Sequence, residues 1–236
     1  MKIVLKFIFA IVFLFSINIY SQTVSANATR PSVSDNAFLT AYGYTEVEFG
    51  LSTQKNFWSL PLFVKFSAIK NGEFGFLMNG LFNNMTIRNT PETKLGDPGI
   101  QFKYQFVNNS SVAFSAVGRL DFMSSNTKLT IYAVPSILTK SGQIDLTVGF
   151  SSVNSANSIF YAAAFSPKVD LPFCIYVELF GESWDGYKPF YFDAGISYPV
   201  SSDFILDVAL VRGLNDDAAD WQFQIGFTKT LLKLID

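Results

Sequence analysis

The sequence contains no histidine, and this absence removes many catalytic mechanisms. Histidine is the usual general base near neutral pH, a common metal ligand and the central member of the Ser-His-Asp triad. Carboxylate pairs would have to carry any catalysis, and Glu46 with Glu48 or Glu178 with Glu182 are the pairs that share a strand face. That spacing is common in alternating strands. We therefore expect no enzyme activity, no cofactor and no metal site.

Cysteine and charge are also scarce. The single cysteine, Cys174, cannot form an internal disulfide. Charged residues make up 15% of the chain, with 17 Lys and Arg against 19 Asp and Glu, so there is no basic field for nucleic acid. In contrast, 49% of the residues are hydrophobic and 26 are Phe. The composition is too apolar for an ordinary secreted domain.

Long hydrophobic runs are absent after the first residues. Lys2 and Lys6 precede an apolar run from Phe7 to Ile17, which is typical of a secretory signal peptide. An uncleaved membrane anchor is the alternative, although the run is somewhat short for one. The predicted organisation is a signal peptide at 1–21, a flexible N-terminal lead-in at 22–36 and an outer-membrane β-barrel at 37–236.

The dominant pattern after the lead-in has a period of two residues, which predicts β-strands. In "DFILDVALVRG" (203–213), Leu206 and Val208 share one face while Asp207 and Ala209 share the other. About twelve such segments, each roughly 9 to 13 residues long, fit strands that cross a bilayer at a tilt. They are 39–52, 57–69, 73–82, 98–107, 111–122, 129–139, 143–151, 158–167, 171–182, 189–199, 203–212 and 219–231.

The segments between these strands alternate in length. Short turns are predicted at 70–72, 108–110, 141–142, 169–170 and 201–202. Longer polar links are predicted at 53–56, 83–97, 123–128, 152–157, 183–188 and 213–218. Short turns on one rim and longer loops on the other are typical of outer-membrane barrels. The fold class is therefore all-β: a closed, antiparallel, up-and-down transmembrane β-barrel with both chain ends on the periplasmic side.

The apolar face of each strand is predicted to contact lipid and the polar face to line a lumen. A lipid environment leaves no place for an open sheet edge, so the barrel must close. The expected partners are the outer-membrane bilayer, the outer-membrane assembly machinery and a small solute, with no nucleic acid. A soluble secreted barrel that binds an apolar ligand inside is the alternative interpretation of the same pattern.

The charged residues that share the lumenal parity are mostly acidic. They are Glu46, Glu48, Lys65, Lys103, Arg119, Asp121, Asp145, Glu178, Glu182, Asp193 and Asp207. They can line a pore that prefers cations or uncharged polar solutes. Alternatively they can form ion pairs that fill a narrow barrel and fix its strand register. About twelve strands lie between barrels filled by side chains and barrels with an open channel.

Three stretches resemble bacterial outer-membrane proteins grouped under the MetA pathway of phenol degradation: "GDPGIQFKYQF" (96–106), "YVELFGE" (176–182) and "FDAGISYPVSSDFILDVALVRGLN" (192–215). The resemblance implies an outer-membrane barrel that transports small hydrophobic or aromatic compounds, with no catalytic residue. The matching positions are Asp97, Glu178, Gly195, Tyr198, Asp207 and Gly213. The chain departs from outer-membrane barrels in its end, "TKTLLKLID", which lacks the common terminal aromatic residue.

The predicted function is that of an outer-membrane channel or transporter for small solutes, hydrophobic or aromatic ones among them. The alternative is a plugged barrel with a structural or surface-interaction role and no transport.

Overall fold

A computed structural model describes residues 25–87 and 90–235 of the chain. The predicted signal peptide therefore lies outside the described residues. The described part is all-β, and none of its segments is a helix long and apolar enough to cross a membrane. Its strands are β1 (Tyr44–Gln54), β2 (Phe57–Ser59), β3 (Leu62–Ile69), β4 (Gly72–Met78), β5 (Asn83–Ile87), β6 (Thr90–Lys94), β7 (Pro98–Asn108), β8 (Val112–Phe122), β9 (Thr127–Leu138), β10 (Gly142–Val153), β11 (Ala156–Pro167), β12 (Cys174–Ser183), β13 (Phe190–Ser201), β14 (Phe204–Gly213) and β15 (Trp221–Lys233).

Twelve of these strands form a closed antiparallel barrel. The order β1, β3, β4 and then β7 to β15 follows the chain, and each strand pairs with the next. The barrel closes because β15 pairs with β1, in a ladder that runs from Tyr44↔Lys233 to Gln54↔Gln222. The predicted closed barrel of about twelve strands is confirmed.

The three remaining strands extend the sheet beyond one rim. β2 pairs with β1 and β5, and β6 pairs with β5. The predicted strand 57–69 is therefore two strands, and the link predicted at 83–97 contains a hairpin. Pro61 lies at the break between β2 and β3, where a residue without an N–H cannot donate to a ladder.

The predicted alternation of link lengths is only partly correct. Residues 154–155 form a two-residue turn instead of a longer loop at 152–157, with φ of 48° at Asn154 and 67° at Ser155. Positive φ at both central residues is the geometry of a tight hairpin turn. Residues 168–173 form a longer link than the one predicted at 169–170. We call the end that carries 70–71 and both ends of the described chain, at residues 25 and 235, the turn rim, and the opposite end the loop rim.

The outer surface of the barrel is apolar and the inner surface is polar. Leu206 is 44% exposed, whereas Asp207, the next residue, is 3% exposed. Lys65 and Lys103 are completely buried. A soluble barrel with an apolar interior would show the reverse arrangement, and so large an apolar surface requires hydrocarbon around it.

The N-terminal residues before β1 lie inside the barrel. Residues 25–36, the described part of the predicted lead-in, hydrogen-bond to side chains on the inner wall. Residues 37–43 continue this path, so β1 begins at Tyr44 and not at the predicted 39. Ala37 packs against a small apolar cluster on β8 and β9 that contains Val117 and Val134. We call residues 25–43 the inner segment.

The assignment of outward-facing side chains can be tested directly. Val208 points outward near the middle of β14, so Val208→Arg should lower the free energy of unfolding in lipid vesicles by about 2–4 kcal/mol. Leu214→Arg, just beyond the end of β14, should cost about 0–1 kcal/mol because it lies near the interface. Equilibrium unfolding in urea measures both. Equal losses would contradict the assignment of the faces.

Candidate functional site

A buried cation holds two carboxylates at the wall of the lumen. Lys65 on β3 lies 2.5 Å from Glu46 and 2.6 Å from Glu48 on β1, and all three side chains are almost completely buried. The period of two puts the glutamates on the same face of β1, and the register pairs Glu46 with Lys65. Lys65 Nζ also donates to the carbonyl of Asn27 at 2.6 Å. The triad thus joins the wall to the inner segment.

The same glutamates accept hydrogen bonds from the backbone of the inner segment. The N–H of Asn27 donates to Glu46 and the N–H of Thr29 donates to Glu48, both at 2.8 Å. Further along the segment, the N–H of Thr40 donates to Glu73 at 2.6 Å. Charge-assisted bonds of this kind are among the stronger hydrogen bonds in proteins. The wall therefore recognises the backbone of the segment more than its side chains.

Glu178 on β12 accepts two consecutive N–H groups. Val33 donates to one carboxylate oxygen at 2.8 Å and Ser34 to the other at 2.5 Å. Asp193 lies directly opposite Glu178 on β13 and accepts a hydrogen bond from the Tyr176 hydroxyl at 2.8 Å. Two carboxylates therefore face each other at the centre of this wall.

Arg30 is the cation of the inner segment. Its guanidinium lies 3.4 Å from Asp207 on β14 and 3.4 Å from the carbonyl of Ile225. Gly50 and Gly226, which are partners in the β1–β15 ladder, lie beneath it. A Cβ atom at Gly226 would come within 2.7 Å of the guanidinium nitrogens. The two glycines therefore provide the space in which Arg30 lies.

A second ion pair attaches the segment on the opposite wall. Lys103 on β7 lies 2.8 Å from Asp35. The N–H of Ala37 donates to the Ser136 hydroxyl at 2.8 Å, and this hydroxyl donates in turn to Asp145. The segment thus crosses the lumen from β14 to β9 with a polar partner at most positions.

The remaining charged residues of the predicted lumenal set lie in the loop-rim half of the lumen. Arg119 binds both carboxylate oxygens of Asp121 and donates to the side-chain carbonyl of Asn79. Glu182 accepts from the Ser158 hydroxyl at 2.6 Å. A cavity of about 190 Å³ extends from Arg30 to Arg119. This half therefore contains open space beside Arg30 and Arg119.

The structure distributes the predicted lumenal residues over several clusters. Glu46, Glu48 and Lys65 form one cluster with the segment, and Glu178 and Asp193 form another. The remaining ones are placed singly or in pairs by the contacts above: Asp207 with Arg30, Lys103 with Asp35, Asp145 with Ser136, Arg119 with Asp121, and Glu182 with Ser158. Of the two carboxylate pairs considered for catalysis, Glu46 and Glu48 both bind Lys65, whereas Glu178 binds the inner segment and Glu182 binds Ser158.

Sequence reasoning missed three residues that belong to this set. Glu73 is 2% exposed, and its lumenal parity on β4, opposite the apolar Phe74 and Phe76, was a usable signal. Arg30 and Asp35 lie in a polar stretch without periodicity, where no pattern indicates a partner. Among the described residues, no group of three or more His, Cys, Asp or Glu has an arrangement that could hold a metal ion.

Comparison with solved structures identifies similar barrels. The COG4313 outer-membrane channel from Pseudomonas putida F1 matches with a TM-score of 0.61 and 13% identity, covering 80% of this chain and 96% of that one. The NanC porin matches with a TM-score of 0.60 and 12% identity over 79% of this chain and 100% of that one. The KdgM porin in complex with disordered oligogalacturonate gives 0.57 and 14%, over 79% and 99%. The chain therefore has the fold of outer-membrane β-barrel channels.

At the level of sequence, no protein-family model matches the chain, and no curated protein matches it. The resemblance to the proteins grouped under the MetA pathway of phenol degradation stays a prediction. At these low sequence identities, the similarity to the solved structures supports the fold alone.

The Lys65 triad gives a stability test. Lys65→Met removes the cation and leaves Glu46 and Glu48 buried without it, which should cost about 3–5 kcal/mol of unfolding free energy. Lys94→Met is the matched control, because Lys94 and its partner Glu92 are largely exposed and their pair contributes little. Equilibrium unfolding compares the two variants. A small loss for Lys65→Met would contradict a strong interaction at this site.

Proposed function

We propose that this protein is an outer-membrane channel for small, polar or cationic solutes. The observation that carries the proposal is the closed twelve-stranded barrel with an apolar outer surface and a polar, mostly acidic inner wall. A water-filled lumen with this lining favours cations over anions. The predicted hydrophobic or aromatic solutes fit the lining less well.

In the conformation described, the inner segment occupies the turn-rim half of the lumen. Solutes pass only when the segment is displaced, which exchanges its attachments to the wall for contacts with water. Most of these attachments are hydrogen bonds and ion pairs that water can replace, and the buried apolar contact is confined to the small cluster around Ala37. The chain enters near Ser202 on the turn rim, so we propose that the segment withdraws toward the periplasm.

A plugged barrel without transport is the second candidate function. The buried Lys65 triad and the Lys103–Asp35 pair favour it, because both ion pairs lie where a solute would pass. Neutralising Glu178 by Glu178→Gln should then lower thermal stability and leave permeability unchanged. An increase in permeability favours the channel.

A reducible crosslink tests whether the segment controls passage. The N–H of Ala26 donates to the carbonyl of Ser202 at 2.8 Å, and backbone partners this close lie within the range that a disulfide can bridge. Ala26→Cys with Ser202→Cys, in a Cys174→Ser background, would tie the first described residues of the segment to the rim. In planar bilayers we expect low conductance from the oxidised protein and higher conductance after reduction.

The single variant Ala26→Cys in the same background is the control, and it should not respond to the reductant. Mass spectrometry establishes that the disulfide has formed. Equal conductance of the oxidised and reduced forms would contradict a displacement in which Ala26 leaves Ser202.

A further inference from the structure

One part of the inner wall carries negative charge without its own cation. The inward side chains of β12, β13 and β14 include Glu178, Asp193 and Asp207. Within the described residues, the only salt bridge that any of them makes is that of Asp207 with Arg30 of the inner segment. The positive charge beside this wall therefore comes from the inner segment and not from a strand of the barrel.

The opposed carboxylates of this wall lack a charge partner. Glu178 and Asp193 face each other directly in the β12–β13 ladder, where like charges destabilise the pairing. Asp193 is completely buried, and its Oδ1 atom has no hydrogen-bond donor among the described residues. Asp207 Oδ2 likewise has no hydrogen-bond donor among the described residues. Asp207 lies opposite Ser197, four residues along β13 from Asp193, so each oxygen needs a donor of its own, and Asp207 is the residue beside Arg30.

Arg30 is held loosely. Both of its hydrogen bonds are 3.4 Å long, beyond the usual 2.7–3.2 Å, and its Nε atom is buried without a partner in the described structure. An arginine bound in its preferred way makes two short, parallel hydrogen bonds to a carboxylate. Another cation with N–H groups can therefore satisfy Asp207 at least as well as Arg30 does.

The space beside Asp207 also fits a planar cation. Gly50 and Gly226 leave a flat space against the closing ladder, and the Arg30 guanidinium occupies it. The cavity of about 190 Å³ reaches from this position toward Asn79 and Arg119 on the loop-rim side. A solute that enters the lumen from that side can reach the site.

We propose that Asp207, together with the Gly50–Gly226 space, forms a binding site for solutes that carry a guanidinium or ammonium group, with the Glu178–Asp193 pair further along the same wall. Arg30 occupies this site in the absence of solute. The inference rests on the proposed channel function and names its substrate class. Binding of a solute cation displaces Arg30 and removes one attachment of the inner segment.

Arg30→Ala in the full-length chain, with guanidinium ion as the probe, tests the site. The substitution should raise conductance, and millimolar guanidinium should reduce it again by occupying the vacated position. Tetramethylammonium, a cation without N–H donors, should bind at least about tenfold more weakly, because it cannot make charge-assisted hydrogen bonds. In the wild-type protein Arg30 competes with the ion, so a higher guanidinium concentration should be needed to occupy the site.

A second substitution assigns the effect to the wall. In the Arg30→Ala background, Asp207→Asn should abolish the response to guanidinium. Glu182→Gln is the matched control, because Glu182 is also a lumenal carboxylate but lies nearer the loop rim, bonded to Ser158. Heat-modifiable electrophoretic mobility establishes that each variant forms the barrel.

Thermal unfolding provides a readout that does not require conduction. A ligand that binds only the folded state raises the melting temperature, so guanidinium should stabilise the Arg30→Ala variant but not the variant that also carries Asp207→Asn. If both variants respond equally, or if tetramethylammonium acts as guanidinium does, the binding site is wrong and the channel is unaffected. If binding occurs but no folded variant conducts, the site stands and the channel is wrong.

Discussion

The need of buried carboxylates for hydrogen-bond donors organises this molecule. An isolated carboxylate is costly to remove from water unless donors or cations surround it. The barrel buries several carboxylates on its inner wall, and the inner segment supplies N–H groups to Glu46, Glu48, Glu73 and Glu178. The position of the segment follows from this requirement, because a chain of small polar residues can bring successive amides to successive glutamates.

Much of the barrel could be predicted because it depends on patterns among residues that are close together in the sequence. Alternation such as Leu206, Asp207 and Val208 identifies a strand and its two faces at once, since side chains on a strand point to opposite sides. The same parity brings Glu178 and Asp193 to the lumen. Closure follows from the absence of water in the bilayer core, which leaves no tolerable place for a sheet edge. These arguments need no knowledge of distant contacts.

The rest depends on contacts between residues far apart in the chain. Asp35 meets Lys103 and Arg30 meets Asp207, and neither pair leaves a local pattern in the sequence. A polar stretch without periodicity has the same composition whether it is free in water or bound to carboxylates. The hairpin of β5 and β6 was missed for a similar reason, because its short strands are mostly polar on both faces.

The closing ladder between β1 and β15 has a consequence for how the protein is made. The inner segment directly precedes β1, and β15 is the last of the described strands, so the ring is completed by pairing the first and last barrel strands. If this pairing forms last, a segment already bound to β1 becomes enclosed without being threaded through a finished ring. Biogenesis would then deliver each molecule to the membrane with its lumen already filled.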